Sequence, residues 1–245
     1  MTFTLRVAAS AVKRPAQRLR YGEHRDQVAE LYLPAGEARG VVATLHGGWW
    51  QARRTRTKLY TRPLALDLVR HGFAVVNAEY RRVGGGGGWP ATFDDARAIA
   101  VLAREQPGGT RVAMLGHSAG AHLALYAAAE GGVDAVVALA APSDLEAKPG
   151  PETIALMGGT PDEVPDRYAL GSPIRRIPLG VPTLLVHGAA DETVPPRRSR
   201  DFATAARAAG DDVTLIEPAA DHRQVADPRH PAWAPVPLWL AARLD

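Results

Sequence analysis

Cysteine is absent from this chain of 245 residues. Its absence excludes disulfide bonds, a thiolate nucleophile and any metal site built on cysteine ligands. Long apolar runs are missing too, because no stretch approaches the ~18 consecutive apolar residues of a membrane-spanning helix. Residues 1–20 carry several basic side chains but no apolar run, which is unlike a secretory signal. We therefore expect a cytoplasmic protein with no membrane partner.

The sequence also has little net charge. It contains 29 Lys and Arg against 26 Asp and Glu, a net charge of +3, and no block of basic residues. This spread of charge argues against a nucleic-acid partner. The 46% apolar content excludes a disordered chain. No repeat, linker or change in composition divides the sequence, so we expect a single domain over residues 1–245.

Short apolar runs alternate with longer segments of helical pattern. The runs that predict strands are residues 17–21, 27–33, 41–46, 73–79, 111–116, 135–139, 183–187 and 213–216. The predicted helices are residues 58–71, 90–104, 119–129, 196–209 and 237–244. This alternation predicts an α/β fold, with a mostly parallel sheet of about eight strands and helices on both faces. Residues 142–173 are rich in Pro, Gly and Asp and predict only short helical turns, hence a short lid.

The strongest motif is Gly116-His117-Ser118-Ala119-Gly120, between a predicted buried strand and a predicted helix. This is the context of a nucleophile elbow, in which small residues flank a serine on a sharp turn. The helix that follows directs its N-terminus at the site and favours developing negative charge. A chance match in a glycine-rich chain is the alternative. The context favours Ser118 as the nucleophile.

A serine nucleophile needs a base, and the base needs an orienting acid. Asp191 follows the strand predicted at residues 183–187, and His222 follows the next predicted strand. Catalytic groups of open α/β sheets gather at the carboxyl ends of the strands, so Ser118, Asp191 and His222 can converge there. Taken singly, Asp191 could be a solvated turn carboxylate and His222 a surface histidine. Together they predict a catalytic triad.

Backbone N–H groups must stabilise the oxyanion of such a reaction. The segment His46-Gly47-Gly48-Trp49-Trp50 follows the strand predicted at residues 41–46. Its glycines allow the backbone to approach a substrate closely, although an ordinary tight turn is the alternative. We assign the oxyanion hole to the N–H groups of Gly48, Trp49 and Ala119.

The order of these motifs resembles α/β-hydrolases of the esterase, lipase and arylformamidase type. The resemblance rests on His46 to Trp50, Glu79-Tyr80-Arg81, Gly116 to Gly120, Tyr168 to Pro173, His187-Gly188 with Asp191, and Asp221-His222. The pattern His-Gly-Gly-x-Trp is similar to kynurenine formamidases and to small carbohydrate-acyl esterases. The peptidase branch of the same superfamily carries a propeller domain, and because these 245 residues show no sign of one we do not expect peptidase activity.

The resemblance implies hydrolysis of a carboxylic ester or an activated amide, including an arylformamide, through an acyl-enzyme. It implies no cofactor and no metal, and a small-molecule ester or amide as the substrate of a monomer or homodimer. Trp50 is expected to contact the substrate, and a small acyl group is expected. Two alternatives stay open: an acyltransferase or biosynthetic thioesterase with the same triad, and a non-catalytic binding protein on this fold.

Several neighbouring residues are expected to support the site. His46 is predicted to pack or hydrogen-bond beneath the oxyanion loop, together with the segment from Glu79 to Arg82. His117, His122 and His187 are predicted to be structural. The basic loop of Arg53, Arg54 and Arg56 is interpreted as solvated, with recognition of an acidic substrate as the alternative.

Overall fold

The protein is described by a computed structural model that covers residues 14–54 and 57–244. The strands are β1 (Gln17–Arg20), β2 (Val28–Tyr32), β3 (Val41–Leu45), β4 (Ala74–Ala78), β5 (Val112–His117), β6 (Ala135–Leu139), β7 (Thr183–Val186) and β8 (Val213–Ile216). They form one sheet in the order β1-β2-β4-β3-β5-β6-β7-β8. The pairs β1–β2 and β2–β4 are antiparallel, and the other pairs are parallel. The predicted α/β-hydrolase architecture is therefore confirmed.

The described residues contain seven α-helices, of which six lie between strands and the last follows β8. They are α1 (Lys58–Arg70), α2 (Ala91–Arg104), α3 (Ala119–Ala129), α4 (Pro151–Met157), α5 (Pro165–Gly171), α6 (Arg197–Ala208) and α7 (Pro235–Leu244). The segment expected to hold only helical turns contains α4 and α5, each of seven residues with proline at its start, where the missing N–H costs nothing. No helix in the described part of the chain combines the length and the apolar character needed to cross a membrane.

The central strands are largely apolar because both faces of the sheet are covered, and the buried hydroxyl of Thr44 donates to Oδ1 of Asn77 on the neighbouring strand. In β3, Val41, Ala43 and Leu45 pack into the core on one face, and Val42 packs into the core on the other. This alternation follows from the period of two of a strand. Full burial of one such Val or Leu side chain stabilises the fold by about 1.5–3 kcal/mol.

The register of the parallel strands aligns their carboxyl ends. Leu45 of β3 is paired with Gly116 of β5, and His117 is paired with Leu139 of β6. The pairing continues from Leu139 to Val186 of β7, and from Val186 to Ile216 of β8. The loops after β3, β5, β7 and β8 therefore leave the sheet along one edge.

Helix α3 lies very close to the sheet. A Cβ atom on Gly120 would lie 2.2 Å from the carbonyl oxygen of Leu45, and one on Gly116 would lie 2.1 Å from the carbonyl oxygen of Gly120. Both contacts are with backbone, which cannot rotate away. Only glycine at these two positions allows the chain to turn from β5 into α3 at this distance.

We predict that Gly120→Ala lowers the free energy of unfolding by about 3 kcal/mol, because α3 must move away from β3 to accept the methyl group. Chemical denaturation measures the change. Gly36→Ala is the matched control, because a Cβ atom there would meet nothing within 4 Å. Equal stability of the two variants would contradict the close packing of α3.

Candidate active site

Ser118 occupies the turn between β5 and α3 with φ of 56° and ψ of −119°. Positive φ is uncommon for a residue with a side chain, and such strain is concentrated at functional sites. The N–H of Ser118 donates to the carbonyl of Leu139 at 2.8 Å, and its own carbonyl accepts from the N–H groups of Ala121 and His122. The turn is thus held on both sides.

The loops after β7 and β8 meet at Asp191 and His222. Nδ1 of His222 lies 2.7 Å from Oδ2 of Asp191, and both residues are buried. Because an ionised carboxylate only accepts, Nδ1 carries the proton of this hydrogen bond. In the neutral ring, Nε2 is then left with a lone pair. The pair therefore presents a nitrogen that can take up a proton.

Asp191 accepts hydrogen bonds at both of its carboxylate oxygens. Oδ1 accepts from the N–H groups of Thr193 at 2.8 Å and Val194 at 2.9 Å. Oδ2, besides its bond from His222, lies 3.2 Å from Nε2 of His187. Burial alone would raise the pKa of Asp191, but the bonds from the two histidines and the Val194 N–H outweigh it and hold that pKa well below its usual range. Asp191 is therefore a carboxylate whenever the site is folded at neutral pH.

His187 holds Asp191 from within the core. Its Nδ1 lies 2.7 Å from the hydroxyl of Ser199, and its Nε2 lies 2.9 Å from the carbonyl of Val194. The ring is fully buried. The expectation that His187 supports the site agrees with these contacts, and its particular partner is Asp191.

His117 joins the nucleophile turn to the loop of His222. Nε2 of His117 lies 2.7 Å from the carbonyl oxygen of His222, and the two ring centroids are 4.7 Å apart. The hydrogen bonds of the described residues do not include one between Ser118 Oγ and His222 Nε2. Catalytic contacts are often long in a free enzyme and tighten when substrate binds. Sequence reasoning missed this bridge, since its only local signal is the position of His117 beside Ser118.

The oxyanion loop passes directly beside the nucleophile. A Cβ atom on Gly47 would lie 3.1 Å from Cβ of Ser118. Gly48 and Trp49 follow with φ of 120° and 59°. Within residues 14–54 and 57–244, no hydrogen bond engages the N–H groups of Gly48, Trp49 or Ala119. These three predicted donors therefore remain available to an acceptor.

A buried contact between His46 and Glu79 orients this loop. His46 Nε2 lies 2.5 Å from Glu79 Oε1, and His46 Nδ1 lies 2.6 Å from the carbonyl oxygen of Gly47. Burial opposes ionisation of Glu79, but His46, Arg82 and the Lys58 N–H together lower its pKa. Both ring nitrogens of His46 thus face acceptors, and these contacts fix the ring between the Glu79 carboxylate and the Gly47 carbonyl.

The orientation of one peptide plane follows from the His46 contact. The C=O and N–H of a trans peptide point in opposite directions. Because His46 binds the carbonyl of Gly47, the N–H of Gly48 points away from His46. Tyr80 completes the support, since its hydroxyl donates to the His46 carbonyl at 2.8 Å and its ring stacks on His46 at 4.6 Å. The predicted role of His46 and the segment after Glu79 agrees with this geometry.

The two adjacent tryptophans have different surroundings. Trp50 is 1% exposed, its Nε1 donates to the Ala119 carbonyl at 3.1 Å, and its ring packs edge-on against His122. Trp49 is 37% exposed. Trp50 therefore lies in the core beneath the turn rather than facing substrate, because its ring fills the space between the oxyanion loop and α3. Among these two side chains, Trp49 has the surface that a substrate could reach.

His122 has a structural environment, as expected. Its Nε2 lies 2.8 Å from the carbonyl oxygen of Gly171. Burial lowers its pKa to about 4, against a smaller opposing effect of the bond to Gly171. His122 is therefore a neutral ring that connects α3 to the end of α5.

The basic loop after the tryptophans is paired with a carboxylate. Arg53 and Arg54 lie 3.2 Å and 3.7 Å from Oε1 of Glu152 in α4. Arg56 lies outside the described residues. Because one carboxylate neutralises part of this loop, the contacts favour attachment of α4 over recognition of an acidic substrate by Arg53 and Arg54.

Solved structures of similar fold include several esterases. A truncated form of a carbohydrate esterase from gut microbiota has a TM-score of 0.83 at 22% identity, and the match covers 95% of this chain and 99% of that one. A bifunctional GH43-CE protein of Bacteroides eggerthii has a TM-score of 0.81 at 23% identity, and the match covers 95% of this chain and 36% of that one. Est2, a thermophilic esterase of the Planctomycetes species Thermogutta terrifontis, has a TM-score of 0.73 at 22% identity, with 93% and 90% covered. At these identities the likeness shows the fold.

The family follows from a separate comparison. The model of the BD-FAE family matches residues 29–206, a segment that contains the oxyanion loop, Ser118 and Asp191. This match spans well over half of the chain, so the protein belongs to the BD-FAE family of α/β-hydrolase-type esterase domains.

Proposed function

We propose that this protein is a serine esterase that hydrolyses a carboxylic ester through an acyl-enzyme. The observation that carries the proposal is the placement of Ser118, on a strained turn, at the same sheet edge as the hydrogen-bonded pair of His222 and Asp191. Membership of the family and the esterase names of the structural neighbours support it.

The triad supplies the proton transfers. Nε2 of His222 takes the proton of the Ser118 hydroxyl as the oxygen attacks the ester carbonyl. The carboxylate of Asp191 stabilises the imidazolium that forms. His222 then donates this proton to the leaving alcohol, and in the second half of the reaction it takes a proton from the water that attacks the acyl-enzyme. No cofactor enters these steps.

The oxyanion that develops needs donors already in position. The N–H groups of Gly48, Trp49 and Ala119 supply them in this proposal, with the first oriented by the bond from His46 to Gly47. Preorganised donors of this kind contribute about 3–4 kcal/mol each to lowering the barrier. The orientation of the Gly48 N–H costs nothing at the moment of reaction, because the contact of His46 with the Gly47 carbonyl has already set it.

The substrate in this proposal has a small acyl group. The segment of α4 and α5 is short, and it offers little wall for a long acyl chain. The exposed ring of Trp49 offers an aromatic surface beside the oxyanion loop. Hydrolysis of an arylformamide stays a prediction of the sequence motif, and ester hydrolysis is the part that the family supports.

We predict that Ser118→Ala reduces ester hydrolysis by roughly 10⁴-fold or more, because the nucleophile is lost while the fold is kept. A fluorophosphonate probe should label Ser118 alone, as read by peptide mass spectrometry. Ser143→Ala is the matched control, because Ser143 is buried and its hydroxyl donates to the Arg198 carbonyl instead. Labelling of Ser143 or Ser172 would overturn the assignment.

We predict that Asp191→Asn lowers kcat by roughly 10³-fold, since the amide holds the imidazole in the wrong tautomer. Asp221→Asn is its control, because Asp221 is exposed and, within the described residues, its carboxylate accepts from the N–H groups of Arg223 and Gln224. Steady-state kinetics with one ester compares both variants. An active Asp191→Asn enzyme beside an inactive Asp221→Asn enzyme would reverse the roles of these carboxylates.

We predict that kcat/KM is highest for acetyl and propionyl esters in a series of p-nitrophenyl esters. Trp49→Ala should lower kcat/KM for aryl esters by up to about tenfold relative to alkyl esters, the upper end of a ring-stacking contribution. A maximum at octanoyl or longer would contradict the small acyl group.

Trp50→Ala should instead lower the free energy of unfolding by about 3–5 kcal/mol, because it removes a core ring.

A further inference from the structure

A groove of about 730 Å³ lies between α1 and the segment that follows His222. Leu59, Tyr60 and Pro63 belong to its α1 wall, and Arg223 and Pro228 belong to the opposite wall. Nothing in the proposed reaction cycle uses this groove. Its two walls are nonetheless built from elements that also shape the active site.

The groove carries an excess of positive charge. Four arginines line it, Arg62, Arg70, Arg223 and Arg229, against the single lining carboxylate of Asp227, and the side chain of Arg62 also hydrogen-bonds Tyr32. That carboxylate is engaged by Arg229 through two hydrogen bonds of 2.9 Å and 2.8 Å. Asp67, beside Arg70 at 3.2 Å, adds one more negative charge next to the groove.

Arg223 is the arginine most readily available to a ligand. It is exposed, and the ion pairs of the described residues do not include its side chain. Its guanidinium can bind a carboxylate through two parallel hydrogen bonds. An anion in the groove would therefore break no direct ion pair of this residue, although it would compete with the nearby carboxylate of Asp221, which feels the charge of Arg223.

The groove also has an apolar surface. Leu59 is 62% exposed, and Pro63, Leu66 and Pro228 line the groove with it. Exposed apolar surface rimmed by charge fits a ligand with an apolar or aromatic body and an anionic end. Inorganic ions use only the charged part of such a site.

The groove is connected to the catalytic histidine. The ring centroid of Tyr60 lies 5.5 Å from that of His117, whose centroid lies 4.7 Å from that of His222. Arg223 directly follows His222 in the chain. A ligand held in the groove would thus lie against the wall that positions the general base.

We propose that this groove binds a carboxylate-bearing end of the substrate, so that the ester that this enzyme hydrolyses is an acidic one. The inference rests on the esterase function proposed above. It assigns recognition of the acid to Arg223 and the other groove arginines, and not to Arg53 and Arg54, which are paired with Glu152.

Matched substrates test the proposal. 4-Acetoxybenzoate and 4-acetoxybenzamide differ by one charge in the leaving group, and mono-p-nitrophenyl glutarate and p-nitrophenyl pentanoate differ by one charge in the acyl group. We expect kcat/KM to favour the anionic member of one pair by about fivefold at low salt, which is the scale of a partly exposed charge pair. The preference should decrease as NaCl is added.

Variants assign the effect to the groove. Arg223→Gln should reduce the anionic-to-neutral ratio of kcat/KM by about threefold or more, and Arg223→Glu should reverse the preference. Arg197→Gln is the matched control, because Arg197 is an exposed arginine of α6 whose partner is Asp201. Calorimetry of 4-hydroxybenzoate and 4-hydroxybenzamide with the Ser118→Ala variant gives a readout that does not need turnover.

The outcomes separate this inference from the proposed function. Ester hydrolysis that requires Ser118 but shows no preference for the anionic substrates overturns the groove assignment and leaves the esterase intact. An equal loss for both members of a pair in Arg223→Gln also overturns it, since Arg223 would then act through His222. Arg223-dependent binding of 4-hydroxybenzoate without hydrolysis of any ester supports the groove and overturns the esterase.

Discussion

The active site depends on how closely α3 approaches the sheet. Gly116 and Gly120 remove the two side chains that would collide with backbone, and this lets the chain reverse within one residue. That residue is Ser118, which takes positive φ as a result. Such strain costs on the order of 1–3 kcal/mol and persists because the packed helix and sheet determine it. The close contact thus places a serine at the edge where the other loops end.

Three fully buried histidines hold those loops in register with the turn. His46 orients the oxyanion loop, His117 binds the carbonyl of His222, and His187 supports Asp191. His117 joins two segments that are distant in sequence. His46 and His187 each follow the last residue of a strand and hold the loop that begins there. Loss of one partner would leave a buried polar group unsatisfied at a cost of about 1–3 kcal/mol. The same bonds that stabilise the fold therefore set the geometry of the catalytic groups.

Much of this arrangement could be predicted, because local patterns determine it. Buried strands are mostly apolar, and the order of the loops follows from the parallel sheet, which places Ser118, Asp191 and His222 at one edge. Other features depend on contacts between distant segments. Nothing local shows that His117 reaches the carbonyl of His222 or that Arg223 faces α1. Trp49 and Trp50 are adjacent residues of the same type, so the sequence does not show which ring is buried, and their backbone conformations decide it. The sequence predicts only turns where the short helices α4 and α5 form, because Pro and Gly weaken the helical pattern.

The central claim is that turnover passes through an acyl group on Ser118. Rapid-quench mass spectrometry of the intact protein during hydrolysis of an activated acetyl ester tests it most directly. The account predicts one acetyl group per chain, located on the peptide of Ser118, that forms and decays at rates sufficient for the measured kcat. Ester turnover without this adduct, or with an adduct that decays too slowly to carry the flux, would contradict it.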